Sequence, residues 1–122
     1  MILVDTSAWV RFLKGLPEAR FVAEKVRGNS VLLHPLVFGE LLLGGLSAEN
    51  ESLLEALPAA QLPSPEKIYG SIKEKSLPGK GVGWVDASIL HVAEEEHAAL
   101  ATFDEALRSC AADLGIPCLP SS

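Results

Sequence analysis

The chain has 122 residues, of which 48% are hydrophobic and 21% are charged, a mixture typical of folded globular proteins and unlike a disordered chain. Its length predicts one domain over residues 1–122, and area scaling predicts a folded surface of roughly 6,300 Å². No apolar run approaches the roughly 18 residues that a membrane span needs, and residues 1–5 do not resemble a signal peptide. Two cysteines are too few for a disulfide framework, so we expect the protein to function in a reducing cytoplasm. We also expect no membrane attachment, because no apolar run is long enough.

The net charge of −6 argues against nonspecific attraction to nucleic acid. The charges are nevertheless unevenly distributed along the chain. Residues 31–60 and 81–122 are acidic, whereas residues 1–30 and 61–80 are slightly basic. Such a chain can present one acidic face and one basic face when folded. The acidic side chains are therefore candidates for a binding or catalytic site.

In chain order, residues 1–5 predict a buried strand because a short aliphatic run ends abruptly in polar side chains. Helical patterns follow at about 8–14 and 17–27, and the second stops near Gly28. Residues 30–34 (Ser-Val-Leu-Leu-His) predict a second strand.

The middle of the chain predicts two further helices and a weak strand. Pro35 begins a helix that runs to about Leu43, and Ser47 caps another that runs to about Leu57. Between two prolines, residues 60–62 predict a weak third strand. A helix capped by Ser64 follows and ends no later than Pro78, and residues 78–83 predict a basic, glycine-rich loop. The remaining elements are a helix at 84–96, a strand at 99–102, a helix at 105–113 and a strand at 117–119.

Short apolar strands that alternate with helices predict βαβ units. We therefore expect an α/β protein with a three-layer α/β/α arrangement and a central, mainly parallel sheet of four to five strands. In such folds ligands bind at the carboxyl ends of the strands.

Four carboxylates and one hydroxyl are predicted near that edge of the sheet. Asp5 follows the first strand, Glu40 lies in the helix after the second, and Asp104 follows the strand at 99–102. Asp86 lies in the first turn of its helix, and Thr102 ends a strand. We take these five side chains as the candidate catalytic residues.

Each acid also has an ordinary structural interpretation. Asp5 could be a turn or capping residue, with Ser7 as the N-cap of the next helix. Asp86 could complement the helix dipole, and Asp104 could be an N-cap. Glu40 is harder to explain in this way, because its helix is apolar on nearly all sides and such a helix is expected to be buried. The structural alternative is that Glu40 lies on one narrow, solvated stripe of that helix.

Carboxylates brought together repel one another, so a cation is needed to keep them all ionised. Carboxylate oxygens suit Mg²⁺ or Mn²⁺, and the Cys and His sets typical of zinc are missing from the sequence. Mg²⁺ keeps several waters and leaves positions for a phosphate oxygen and an attacking water. The acidic cluster therefore predicts hydrolysis of a phosphodiester bond.

Four segments of the chain resemble, in order and spacing, the motifs of PIN-domain ribonucleases, and most closely those of the VapC-type toxins of prokaryotic toxin–antitoxin pairs. The segments are Val4-Asp5-Thr6-Ser7-Ala8-Trp9, Glu40-Leu41, Gly83-Trp84-Val85-Asp86-Ala87 and Ala101-Thr102-Phe103-Asp104. The resemblance implies a three-layer fold, an acidic Mg²⁺ or Mn²⁺ pocket, and cleavage of RNA that leaves a 5′-phosphate and a 3′-hydroxyl. It also implies a homodimer that a cognate antitoxin neutralises.

The same resemblance implies a role for each candidate residue. Asp5 and Asp86 would be the principal metal ligands, and Asp104 would be a further ligand or part of a second metal site. Glu40 would bind through water or act in proton transfer. Thr102 would hold the attacking water.

Several other side chains have two interpretations. Four lysines near the glycine-rich loop either guide an RNA backbone or form solvated helix faces: Lys67, Lys73, Lys75 and Lys80. Four apolar residues either line a dimer or antitoxin groove or pack in the core: Trp9, Leu41, Leu42 and Leu43. An aromatic content of 6% argues against base stacking as the main contact with RNA.

Two other functions are compatible with an α/β chain of this composition. A phosphoacceptor signalling domain needs a lysine at a later strand end, whereas Lys80 falls in a loop before a helix. A catalytically silent PIN-like binding module would function unchanged without Asp5 or Asp86. The presence of all four acids counts against it.

Overall fold

The computed structural model describes residues 1–121, and within them four parallel strands form one sheet with helices on both faces. The strands are β1 (Ile2–Val4), β2 (Val31–Leu32), β3 (Ala99–Ala101) and β4 (Cys118–Leu119). Their order across the sheet is β2-β1-β3-β4, and every pairing is parallel. The predicted three-layer α/β/α arrangement is confirmed.

Seven α-helices connect and cover the strands of residues 1–121. They are α1 (Thr6–Leu13), α2 (Phe21–Arg27), α3 (Pro35–Gly44), α4 (Ala48–Glu55), α5 (Pro65–Glu74), α6 (Trp84–Glu95) and α7 (Glu105–Asp113), with a 3₁₀ turn at Pro17–Ala19 before α2. The predicted caps of α4 and α5 are present, because the hydroxyls of Ser47 and Ser64 accept backbone N–H bonds at 3.1 and 3.3 Å. Within residues 1–121, no helix combines the length and apolar character needed to cross a membrane.

The core is centred on β1 and β3, the two inner strands of the sheet. Leu3 pairs with Leu32 on β2 and with Leu100 on β3, and all three residues of β1 are buried. Helices on both faces of the sheet bury both sides of this strand, which explains why residues 1–4 are continuously apolar rather than alternating. Burial of side chains such as Leu3 and Leu100 stabilises the fold by about 1.5–3 kcal/mol each. The chain exposes 6666 Å², close to the predicted area.

Two predicted elements differ in the structure. The weak strand at 60–62 is replaced by a single bridge between Leu33 and Ala59, in which Leu33 donates its N–H to the carbonyl of Pro58 at 2.8 Å. A proline can accept but not donate such a bond, so the ladder does not extend. The helix predicted at about 17–27 is divided into the 3₁₀ turn at Pro17–Ala19 and α2. The helix predicted to end by Pro78 does so, at Glu74.

Candidate active site

The pairing of β1 with β3 brings the first and last sequence motifs together. Beyond the strands proper, Asp5 donates its backbone N–H to the carbonyl of Ala101 at 3.0 Å. Thr102 follows Ala101 directly. The side chains of Asp5 and Thr102, 97 positions apart in the sequence, therefore meet at the carboxyl end of the sheet.

Asp5 is the N-cap of α1, so the helix begins at Thr6 rather than near residue 8. The Oδ1 atom of Asp5 accepts the backbone N–H of Ala8 at 2.9 Å and the hydroxyl of Ser7 at 2.7 Å. The alternative in which Ser7 caps this helix is wrong. Asp5 is thus both a cap and a candidate ligand, and its side chain is 4% exposed.

A hydroxyl pair ties Asp5 to the start of α7. Thr102, which is fully buried, donates its hydroxyl proton to Oδ2 of Asp5 at 2.5 Å and accepts the N–H of Asp104 at 3.0 Å. The hydroxyl of Ser7 accepts the N–H of Phe103 at 2.9 Å. Both oxygens of the Asp5 carboxylate are therefore held by protein donors, and the carboxylate has one orientation.

Asp104 lies at the surface, where it is the N-cap of α7. Its Oδ1 accepts the backbone N–H of Leu107 at 2.9 Å, as the capping interpretation predicts. The capping role and the ligand role are compatible, since a carboxylate has a second oxygen. The charge of Asp104 contributes to raising the pKa of Asp5, so this carboxylate also belongs to the acidic edge.

Asp86 occupies the third position of α6, and Gly83 is the N-cap of that helix. No side chain caps this helix. Burial raises the pKa of Asp86, and the nearby backbone amide of Gly83 lowers it. The Asp86 carboxylate therefore lies beside the first turn of α6.

Glu40 is exposed rather than buried, so the expectation of a buried carboxylate is wrong and the solvated-stripe alternative is correct. The α3 helix is not covered on all sides: Val37 and Leu41 are buried, whereas Leu43 is 90% exposed. The Oε1 atom of Glu40 accepts the hydroxyl of Thr6 at 2.5 Å. Glu40 therefore stands at the solvent side of the site, linked to the first residue of α1.

The four carboxylates interact electrostatically. Burial raises the pKa of Asp86, and the charges of Asp104, Asp5 and Glu40 raise it further, while the Gly83 amide lowers it. Burial likewise raises the pKa of Asp5, against the lowering effect of its hydrogen-bond donors. The sheet thus concentrates negative charge at one edge.

The donor set fits a hard divalent cation that keeps part of its water. Among residues 1–121, no group of three or more His, Cys, Asp and Glu side chains converges closely enough to hold a metal ion. Mg²⁺ is usually held by one or two carboxylates, waters and substrate phosphates rather than by such a group. Asp5 and Asp86, two partly desolvated carboxylates in each other's field, match that pattern.

Behind the acids, a histidine joins α3 to α6. His34 is buried, its Nδ1 accepts the N–H of Leu36 at 3.1 Å, and its Nε2 lies 2.8 Å from the hydroxyl of Ser88. Because Nδ1 is an acceptor, the proton of the neutral ring is on Nε2, which donates to Ser88. Burial lowers the pKa of His34 to about 4, so the ring stays neutral and fixes the helix that carries Asp86.

The PIN-domain family model matches residues 2–112, a stretch that contains all four carboxylates and Thr102. The chain belongs to the PIN-domain family. The chain is also 34% identical over 119 residues to Ribonuclease VapC32 of Mycobacterium tuberculosis, an alignment that spans 95% of this chain and 94% of that protein. The predicted resemblance to VapC-type PIN domains is confirmed.

Solved structures share the fold at lower sequence identity. FitAcB from Neisseria gonorrhoeae has a TM-score of 0.62 and 22% identity, covering 97% of this chain and 96% of its own. A toxin-antitoxin complex from Klebsiella pneumoniae has a TM-score of 0.64 and 18% identity, covering 85% of this chain and 87% of its own. Both solved structures therefore have the same fold as this chain.

Other predicted residues of this PIN domain divide between core and surface. Lys75 is not free to guide RNA, because its Nζ lies 2.7 Å from Glu94 on α6 and its side chain is 6% exposed. Trp9 and Leu41 are buried in the core, whereas Leu42 and Leu43 are exposed. Leu41 nevertheless contributes to the lining of a groove between α1 and α3, so burial rules out the groove interpretation for Trp9 alone.

Proposed function

We propose that this PIN domain is a Mg²⁺- or Mn²⁺-dependent endoribonuclease and the toxin of a toxin–antitoxin pair. The observation that carries the proposal is the acidic edge itself, where Ser7 and Thr102 hold the buried carboxylate of Asp5 and Asp104 caps α7. Burial raises the pKa of Asp86 at this edge, and the charges of Asp104, Asp5 and Glu40 raise it further, against the lowering effect of the Gly83 amide. Carboxylates perturbed by burial and by one another mark functional sites in preference to structural ones. The relationship to a protein named as a ribonuclease, VapC32, supports RNA as the substrate.

Asp5 and Asp86 would hold the metal as its principal ligands, with Asp104 as a further ligand or at a second ion. The metal, when bound, polarises the phosphoryl group and lowers the pKa of a bound water. Thr102 donates its proton to Asp5, so we assign Thr102 to positioning that carboxylate instead of holding the attacking water. Ser7 has the same role at the other oxygen of Asp5.

Glu40 is suited to proton transfer because it is exposed and its carboxylate accepts the hydroxyl of Thr6. In the proposed reaction, the oxygen of a water attacks phosphorus and the water proton passes to Glu40, directly or through a second water. The bond from phosphorus to the 3′ oxygen breaks, and that oxygen takes a proton from solvent. The products are a 5′-phosphate and a 3′-hydroxyl.

A groove beside the site is a suitable surface for an antitoxin. It has a volume of about 350 Å³, lies between α1 and α3, and is lined by Val10, Leu13 and Leu46 together with Glu40. An apolar antitoxin segment in this groove would lie next to the acidic edge and exclude RNA. The K. pneumoniae neighbour is a toxin-antitoxin complex, which supports a partner of this kind. We further propose a homodimer, to be tested by analytical ultracentrifugation.

The experiment that tests the activity is cleavage of RNA by purified, partner-free protein with Mg²⁺ or Mn²⁺, with EDTA as one control. Asp86→Asn removes one proposed ligand, and Asp113→Asn is a matched control because Asp113 is exposed at the end of α7. We expect cleavage that EDTA and Asp86→Asn abolish and that Asp113→Asn leaves intact.

Two other results would contradict the proposal. Cleavage that survives both EDTA and Asp86→Asn would show that the acidic edge is not the catalytic site. If the protein neither cut RNA nor bound Mn²⁺, the catalytically silent binding module would become the better interpretation.

A further inference from the structure

Two exposed aromatic rings touch each other beside the acidic edge. Tyr69 on α5 is 53% exposed and Trp84, the first residue of α6, is 45% exposed. Their ring centroids are 5.8 Å apart and their planes meet at 51°, so neither ring covers the other face to face. Buried aromatics dominate the energetics of cores, but these two leave much of their surface to solvent.

The backbone links this aromatic pair directly to a proposed metal ligand. Trp84 and Asp86 both lie in the first turn of α6. On a helix, positions 84 and 86 have Cα atoms about 5.4 Å apart, although their side chains project from opposite sides. A strand that crosses this end of α6 with a phosphate at Asp86 therefore has an adjoining nucleotide within reach of Trp84.

One positive charge lies beside Tyr69 on the same helix, and a second precedes Trp84 in the sequence. Lys73 is exposed one helical turn after Tyr69 on α5, and Lys80 is exposed in the loop that precedes α6. Positions four apart on a helix share a face, so Tyr69 and Lys73 are neighbours. Lysines beside aromatic rings suit a strand that places phosphates on the cations and bases on the rings.

An acidic protein with a net charge of −6 repels the phosphates of RNA, so part of the affinity has to come from contacts that do not depend on charge. Base stacking is such a contact. We propose that Trp84, supported by Tyr69, stacks on a base of the RNA next to the scissile phosphate. This inference depends on the proposed ribonuclease function and adds a base-binding subsite to it. The low aromatic content predicted little stacking, but the placement of these two rings matters more than their number.

Binding measurements on an Asp86→Asn background separate stacking from cleavage. Two fluorescently labelled single strands are compared, an RNA dodecamer and a dodecamer of abasic ribose phosphates with the same charge. We expect Trp84→Leu to weaken binding of the RNA by roughly 5- to 140-fold, the range for loss of one stacked base. Binding of the abasic strand should not change, and Trp84→Phe, which keeps an aromatic face, should restore most of the affinity.

Salt dependence distinguishes the rings from the lysines. Lys73→Gln should reduce the slope of log K against log salt by about 0.7, the value for one phosphate contact on a single strand. Trp84→Leu should lower the affinity without changing that slope. If Trp84→Leu is poorly folded by circular dichroism, Tyr69→Leu on the neighbouring helix tests the same pair, with a smaller loss expected.

The outcomes separate this inference from the function on which it depends. If Trp84→Leu leaves RNA affinity unchanged but shifts the sedimentation coefficient, the rings form a contact between copies of the chain and the proposal is overturned. Equal losses for Trp84→Leu and Trp84→Phe would also overturn stacking. If the wild-type protein cuts no RNA and Asp86→Asn binds none, the ribonuclease function itself fails.

Discussion

Asp5 and Glu40 contribute to the same acidic edge from opposite surroundings. Asp5 is 4% exposed, and its two oxygens accept hydrogen bonds from Ala8, Ser7 and Thr102. Glu40 is exposed on α3, and its carboxylate accepts the hydroxyl of Thr6. One carboxylate is fixed in place by protein donors, whereas the other remains in contact with solvent.

The difference matches what each group has to do in the proposed reaction. A metal ligand keeps one geometry, and donors that hold a carboxylate from behind preserve that geometry when neighbouring charges repel it. A group that accepts a proton from water and releases it again needs access to solvent and freedom to move. The donors also lower the pKa of Asp5 against the effect of its burial, which favours the charged, metal-binding form.

The largest effect on cleavage should come from substitution of Asp5, the buried carboxylate. Asp5→Asn keeps a cap for α1 but removes a ligand charge, so we expect the cleavage rate to fall by roughly 100- to 1,000-fold. Mn²⁺ affinity, measured by isothermal titration calorimetry, should fall in parallel. A variant that retained both would show that Asp5 is only a cap and that the comparison with Glu40 has no functional meaning.

The sequence predicted the helices, the parallel sheet and the acidic edge of that sheet because these depend on local patterns. Asp5 and Asp104 were located by their positions directly after strands, a rule that needs no knowledge of packing. The exposure of Glu40 could not be found in this way. The α3 helix is apolar on nearly every face, and which face remains open depends on what packs around it: Leu43 is exposed, although its apolar character predicts burial.

The hydrogen bonds made by Ser7 and Thr102 could not be predicted from local sequence patterns either. Ser7 accepts from Phe103, 96 positions later, and Thr102 donates to Asp5, 97 positions earlier. Such contacts follow from the register between β1 and β3, which a single sequence does not specify. A serine two residues after a strand-end aspartate was the available signal, and it indicated only a cap or a turn.

Glu40→Gln should separate activity from stability. The carboxamide removes the proton acceptor, so we expect roughly 100-fold slower cleavage. Because the side chain is exposed, the free energy of unfolding in urea should stay within about 0.5 kcal/mol of wild type. Glu96→Gln, at the far end of α6, is the matched control. Unchanged cleavage would remove Glu40 from the mechanism and leave it as a surface residue.

Thr102→Val tests whether the hydroxyl positions Asp5. The substitution removes the donor to Asp5 and leaves the N–H of Asp104 without its acceptor, so stability should fall by about 1–3 kcal/mol. We expect cleavage to slow by roughly 10- to 100-fold, the usual cost of losing a residue that orients a ligand. The acidic limb of the rate–pH profile should move to higher pH, since a donor that lowers the pKa of Asp5 is lost. Thr102→Ser keeps the hydroxyl, so its stability, cleavage rate and rate–pH profile should stay close to those of wild type. If Thr102→Ser lost as much activity as Thr102→Val, packing of the methyl group would be the cause instead.

The smallest effect should be a stabilisation of the metal-free protein by Asp86→Asn. The folded state raises the pKa of Asp86 above its ordinary value of 3.8, so between that value and the raised one the native state binds more protons than the unfolded state. The free energy of unfolding of wild type therefore falls as pH rises through this window. Asp86→Asn lacks the ionisable group, so it should be the more stable protein at pH 7, by about 1 kcal/mol or less because Asp86 is partly exposed and screened.

Urea unfolding of both proteins in EDTA, from pH 4 to 8, measures this difference. His34 acts in the opposite direction, because its pKa is lowered to about 4 and stability is lost as pH falls below its ordinary value of 6.5. That contribution is common to both proteins and cancels in the comparison. The advantage of Asp86→Asn should shrink toward pH 4, and saturating Mg²⁺ should reverse it, since ligand binding stabilises only the protein that holds the metal. A difference that did not vary with pH would mean that Asp86 gains nothing from protonation and that the acidic edge is less crowded than its geometry indicates.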